Sequence, residues 1–123
     1  GAYGAVMILL IAIYCTVVVR ADTASDHFDR ARAALAHGDA AQATRGFDEL
    51  VALGVRDPDV YFNAGLSHAR ANELGKAVAD FERAIRLRPS DDEAIAAQRQ
   101  ALSLLGERYA RREGEAVSNE PSS

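Results

Sequence analysis

Lysine is almost absent from this chain of 123 residues: Lys76 stands alone beside the arginines among 14 basic side chains, and the net charge is −4. Without a basic stripe there is nothing to track a phosphate backbone, so nucleic acid is excluded as an expected partner. Cysteine is as scarce. Cys15 is the single thiol and lies inside an apolar run, which rules out an intramolecular disulfide and reads as a small packing hydrophobe. Clusters that could carry chemistry are missing too. His27, His37 and His68 have no Cys or acidic residue at a metal-ligand spacing, and no Gly-rich phosphate loop, Gly-x-Ser-x-Gly elbow or His-Glu-x-x-His occurs. The acidic run Asp91-Asp92-Glu93 is accounted for as the start of a helix. The expectation is a chain that is not an enzyme, with no metal and no cofactor.

Charge is absent from residues 1–19, and in its place stands a nearly continuous apolar run. Nine Val, Ile and Leu side chains at roughly 0.5 kcal/mol each favour insertion into lipid by about 4 kcal/mol. Nineteen helical residues reach about 28 Å, close to the hydrocarbon thickness of a bilayer. The run predicts a transmembrane helix over residues 1–21, with Ala2, Val6, Leu9, Leu10, Ile13, Val17 and Val19 among its membrane-spanning residues. The alternative is a cleaved secretory signal, since Val19-Arg20-Ala21 resembles a small-x-small cleavage site.

Beyond residue 21 the pattern is helical. Asp57 is placed to cap a helix that has Pro58 in its first turn, and Tyr61, Ala64, Leu66 and Ala69 follow at helical intervals. Asn72 tolerates the left-handed backbone of a helix end, and Pro89 stops the next helix. These signals predict helices over 59–71 and 75–88. Gly65 and Ala84 are small where the two must approach, and Phe81 fills the space between them.

Tyr61, Gly65, Ala77, Phe81, Ala84 and Pro89 stand at the spacings of the tetratricopeptide repeat (TPR), and residues 58–91 resemble one complete repeat of that family. A frame 34 residues earlier puts Ala31 under Gly65, Ala43 under Ala77 and Phe47 under Phe81, which predicts a degenerate repeat over 24–57, with Gly38 at its turn and Gly54 at its helix stop. Its departures, His27, Leu50 and Val55, suit a terminal copy. Ser90-Asp91-Asp92-Glu93 reads as a capping box bonded through Ser90. It opens a closing helix over 91–112 with Ile95, Leu102, Leu105 and Tyr109 inward and Gln98, Arg99, Arg108 and Arg111 outward. The predicted fold class is all-α: an N-terminal transmembrane helix, then a TPR domain over 22–112 forming a short α-solenoid of two repeats and a capping helix, then a disordered tail over 113–123.

The family resemblance implies a partner-binding groove on the first helix of each pair. Carried onto this chain, its positions are Ser25, Phe28, Arg32, Leu35 and Ala36, then Asp59, Phe62, Leu66, Ala69 and Arg70. Such a groove would be apolar with Arg32 and Arg70 as anchors; packing within the chain is the other reading for Phe28 and Leu35. The carboxylate clamp of some TPR proteins is not matched, because Phe28 and Arg32 stand where it has Lys and Asn, so Asn63 is read as structural.

The core Tyr61-Phe62-Asn63-Ala64-Gly65 is similar to that of BatE-type TPR proteins of bacterial aerotolerance operons. That similarity implies a single-pass protein of the bacterial inner membrane with its repeats in the periplasm, a cytoplasmic orientation or a soluble periplasmic form after cleavage being the alternatives. The functions expected are a membrane-anchored adaptor that docks a protein partner or, alternatively, an accessory subunit buried in a larger membrane complex.

Overall fold

The computed structural model describes residues 1–119, with the side chains of 17–22 outside the described set. Five helices follow one another: α1 (Ala2–Ala36), α2 (Ala40–Ala52), α3 (Pro58–Arg70), α4 (Leu74–Leu87) and α5 (Asp92–Ser118). Each packs chiefly on its neighbours in sequence, and lighter contacts join α1 to α3 and α3 to α5. Two helical hairpins and a closing helix thus stack with α1, α3 and α5 on one side.

Local chemistry sets the boundaries. Asp39, Asp57 and Asp91 cap α2, α3 and α5, accepting from the backbone N–H of Gln42, Asp59 and Ala94 at 3.1, 2.8 and 3.1 Å. The cap of α5 is therefore Asp91 and not Ser90: the helix starts one residue later, and its N3 position falls on Ala94, which has no side-chain acceptor to return the bond. At the other ends, Gly38, Asn72 and Gly54 take φ of 85°, 64° and 85°. Each is followed by an N–H that closes back on the helix, Asp39 to Ala34, Glu73 to His68 and Val55 to Leu50, the Schellman pattern that satisfies otherwise unpaired carbonyls.

Two apolar clusters hold the stack. Ala31, Ala34, Leu35, Ala43, Phe47, Leu50, Val60 and Ala64 join α1, α2 and α3. Ala77, Phe81 and Ala101 join α4 and α5, with Phe62, Leu66 and Ala69 of α3 packed against them. Leu66 touches both clusters.

Three expectations are corrected. First, the helix expected over residues 1–21 does not end there: α1 is one helix from Ala2 to Ala36, with no Gly or Pro between Gly4 and Gly38 to end it. Among the described residues no helix is long and apolar enough to cross a membrane. Ala2, Val6, Leu9, Leu10 and Ile13 are exposed, the described side chains of the run end at Thr16, and Val17 and Val19 lie outside the described side chains. Second, the buried stripe of α5 is Ala94 and Ala101 with Ala97 between them. Leu102 and Tyr109 are 48% and 59% exposed. Phe81 already fills the interface, so alanines suit the close approach of α5 and the larger side chains remain outside. Third, α5 continues past residue 112 to Ser118 as exposed helix, since the lone Gly114 costs only about 1 kcal/mol in a helix; residues 120–123 of the expected tail lie outside the described residues.

Candidate functional site

Small residues decide how closely the helices approach. Gly65 sits directly under the Phe81 ring, as its spacing predicted. In the first hairpin the roles are exchanged: Gly46 of α2 meets the Ala31 side chain of α1, where an added Cβ would lie 2.8 Å from Ala31 Cβ. Helices α1, α3 and α5 lie side by side, α3 touching both of the others directly.

The predicted groove residues divide into two groups. Leu35 is buried in the first cluster and is not available to a partner; its register places it under α1 facing the rest of the hairpin. Phe28 is half-buried, edge-on to Phe47 with ring centroids 5.9 Å apart, and Arg32 lies over its ring at 5.7 Å. Arg70 donates from Nη1 to the Leu35 carbonyl oxygen at 2.7 Å, which ties α3 to the end of α1. Asp59 accepts from Arg88 Nη1 at 3.0 Å. Asn63 donates its amide to the Asp59 carbonyl at 2.8 Å, in line with a structural role.

The second group surrounds a cleft of about 320 Å³ between α3 and α5. Leu66, Ala69, Ala97 and Leu104 line it, with Arg70 and Gln100 as polar members. Phe62 packs at the same junction with its ring 5.9 Å from that of Phe81. A smaller cleft of about 270 Å³ between α1 and α3 is lined by Ser25, Phe28, Val55 and Asp59. The structure therefore brings Phe62, Leu66, Ala69 and Arg70 together and sets Phe28 and Asp59 at a separate opening. Gln100 and Leu104 were missed by sequence reasoning, because the expected α5 stripe was displaced from the true one.

This geometry coincides with a family match. Residues 58–91 fit the description of the tetratricopeptide repeat. This segment is a tetratricopeptide repeat. The match spans α3, α4 and the Asp91 cap, and the repeat contributes Leu66, Ala69 and Arg70 to the larger cleft. Tetratricopeptide repeats generally mediate protein–protein interaction and are generally not enzymes. No curated protein matches the chain.

Sequence reasoning also missed a buried polar cluster. His68 of the repeat is 3% exposed. Its Nε2 lies 3.2 Å from Asp48 Oδ1 and 3.5 Å from Asp80 Oδ2, and its Nδ1 lies 3.6 Å from Glu73 Oε2. Burial pushes the Asp80 carboxyl above the ordinary aspartate range, while His68 and Arg83 act in the opposite direction. A hydrogen bond from Lys76 holds Glu73 below the ordinary range. The signal in the sequence was the register of His68, four residues after Ala64 on the inward side of α3. Among the described residues no group of His, Cys, Asp and Glu is arranged to hold a metal ion.

Proposed function

We propose that this protein is a membrane-attached adaptor whose α3–α5 cleft docks an apolar segment of a partner protein. The observation that supports this reading best is the cleft itself. It opens where the repeat meets the closing helix, its lining is mostly apolar, and Arg70 and Gln100 offer polar contacts at its margin. Apolar anchors with a few orienting polar groups are the usual make-up of a peptide-binding surface. Leu104 is 44% exposed, so Leu104→Asp should leave the fold intact while abolishing partner capture. Crosslinking from a photoreactive residue at position 104 in native membranes, followed by comparison with Leu104→Asp, tests this. Unchanged capture by a folded Leu104→Asp variant overturns the docking site.

Attachment to lipid is supported by the first half of α1. Tyr3, Met7, Ile8, Leu10, Ile11 and Tyr14 are exposed on all sides of the helix, and a helix that is apolar all round belongs in lipid or inside an assembly. Resistance to alkaline carbonate extraction, lost when residues 2–16 are replaced by a polar helix, is the expected result. The same all-round apolarity supports a second reading, an accessory subunit whose α1 is buried among other chains. That reading requires that an unrelated membrane anchor in place of residues 2–19 abolish assembly. The similarity to BatE-type proteins favours repeats on the periplasmic side of a bacterial inner membrane, and a compartment-specific reporter fused to the C-terminus checks it.

A further inference from the structure

The two ends of the helical stack differ in what they expose. Among the described residues of α2, α3, α4 and their turns, Leu53 and Leu87 are the exposed large apolar side chains, at 68% and 40%. Both lie at one end. Gly46 meets Ala31, and Glu49 Oε2 lies 3.8 Å from His27 Nδ1, so α2 runs antiparallel to α1 and brings Leu53 to the level of Ala24. Ala24 and Ser25 share a cleft with Val55 and Asp57, and Arg56, from the same loop, shares another with Tyr61, Arg83, Arg86 and Leu87. The opposite end carries the turns at Gly38 and Asn72, with His37, Asp39, Ala71 and Glu73 beside them and no exposed large apolar side chain among the described residues. Helix α1 leaves the stack at the Leu53 end and continues back to Ala2. Val19 closes its apolar run five residues before Ala24, about 8 Å along a helix axis. The headgroup layer of a bilayer is about 5–8 Å deep on each side.

We propose that this end of the stack is a second lipid contact: with residues 1–19 in the hydrocarbon, the loop around Gly54 and the end of α4 rest in the phospholipid headgroup layer, Leu53 and Leu87 reaching toward the acyl chains and Arg56 bonding a lipid phosphate. The inference rests on the attachment of α1 to lipid proposed above. The chemistry of this end suits that layer. Tyrosine and arginine join an apolar body to a polar tip, the make-up favoured between headgroups and hydrocarbon, and the Arg83 guanidinium lies 5.9 Å from the centre of the Tyr61 ring. Arg83 and Arg86 are joined to Asp80 and Glu82, whereas Arg56 has no ion pair among the described residues and is free to take a phosphate through paired N–H groups. Carboxylates stand at this end too: Arg88 holds Asp59 and Asp91 at 3.0 and 3.7 Å, Asp57 caps α3, and Asp92 and Glu93 open α5. With both signs present, the contact takes the phosphate of any phospholipid and does not select anionic lipid. It holds the helices upright, with the Gly38 and Asn72 turns pointing away from the bilayer.

The chain contains no tryptophan, so Leu53→Trp, Leu87→Trp and His37→Trp each introduce a single fluorescent probe, the last at the far end as a control for the indole ring's own affinity for interfaces. The full chain carrying each substitution is reconstituted into phosphatidylcholine vesicles, with and without lipid brominated near the headgroup. Flotation with the vesicles tests the attachment of α1 by itself. The expected result is that all three variants float, that emission from positions 53 and 87 shifts to shorter wavelength and is lost to bromine, and that emission from position 37 is neither shifted nor quenched. Variants that do not float overturn the attachment and this contact together. Variants that float with positions 53 and 87 as unquenched as position 37 overturn the contact alone, as does equal quenching at all three. Because Leu53 and Leu87 are exposed and end different helices, either probe decides if the other variant loses its helical circular dichroism.

Discussion

A Cβ placed on Gly65 would lie 2.5 Å from Cε1 of Phe81. The ring cannot easily swing away, because Phe81 is 1% exposed and Phe62 packs against it. Helix α3 reaches α4 at this distance only because residue 65 has no side chain. Gly65→Ala should therefore destabilise the fold by about 1–3 kcal/mol, the usual effect of overpacking a filled core, despite the higher helix propensity of alanine. Urea denaturation measures it; a stability equal to or above wild type would show that the contact yields freely.

The aspartate caps supply a second test. Asp39→Ala, Asp57→Ala and Asp91→Ala each remove a side-chain acceptor for an exposed helix start, and each should lower stability by about 1 kcal/mol. Ser90→Ala should have little effect, since the bond to the first turn of α5 comes from Asp91. A larger loss for Ser90→Ala than for Asp91→Ala would reverse the assignment of the cap.

Arg70→Ala should loosen the end of α1 against α3. The bond from Arg70 to the Leu35 carbonyl oxygen joins positions 35 residues apart, and a hydrogen bond with one charged partner contributes about 1.5–3 kcal/mol before exposure of the arginine reduces it. Faster hydrogen exchange at His37, Gly38 and Asp39, with little change in α5, is the expected pattern. Equal acceleration across all five helices would instead indicate a global loss.

Stability should also depend on Asp80. Because burial raises its carboxyl above the ordinary aspartate range, the folded chain keeps a proton that the unfolded chain has already released. The associated stability is complete at pH below the ordinary range and declines as pH rises through the raised value. Asp80→Asn has no such proton to lose, so the decline across that acidic window should vanish in thermal melts followed by circular dichroism. An undiminished slope in the variant would assign the effect to another group. Glu73 works in the opposite sense, its partnership with Lys76 weakening as pH falls, but it is exposed to solvent and contributes little.

Much of the fold is legible one residue at a time. Asp57 and Pro58 mark the start of α3, Asn72 and Gly54 mark helix ends, and Gly65 with Phe81 marks a close crossing, because each residue type answers a local steric or hydrogen-bonding demand. The continuity of α1 was legible as well, in the missing Gly and Pro between residues 5 and 37. A change from apolar to charged residues at position 20 suggested a boundary, yet such a change alters the surroundings of a helix without ending it. The cleft was half legible. Leu66 and Ala69 follow from the repeat, whereas Leu104 and Gln100 depend on how α5 rotates against it.

The sequence by itself determined the helices, their turns and the spacing of the tetratricopeptide repeat, since these arise from contacts within about four residues and from side-chain size at fixed intervals. Only the tertiary structure decided that Leu35 is core, that Ala94 and Ala101 rather than Leu102 and Tyr109 face inward, and that His68 meets Asp48. Those outcomes depend on the rotation of one helix against another. That rotation is set by the joint packing of Phe47, Phe81 and the small residues opposite them, which no single segment of sequence contains.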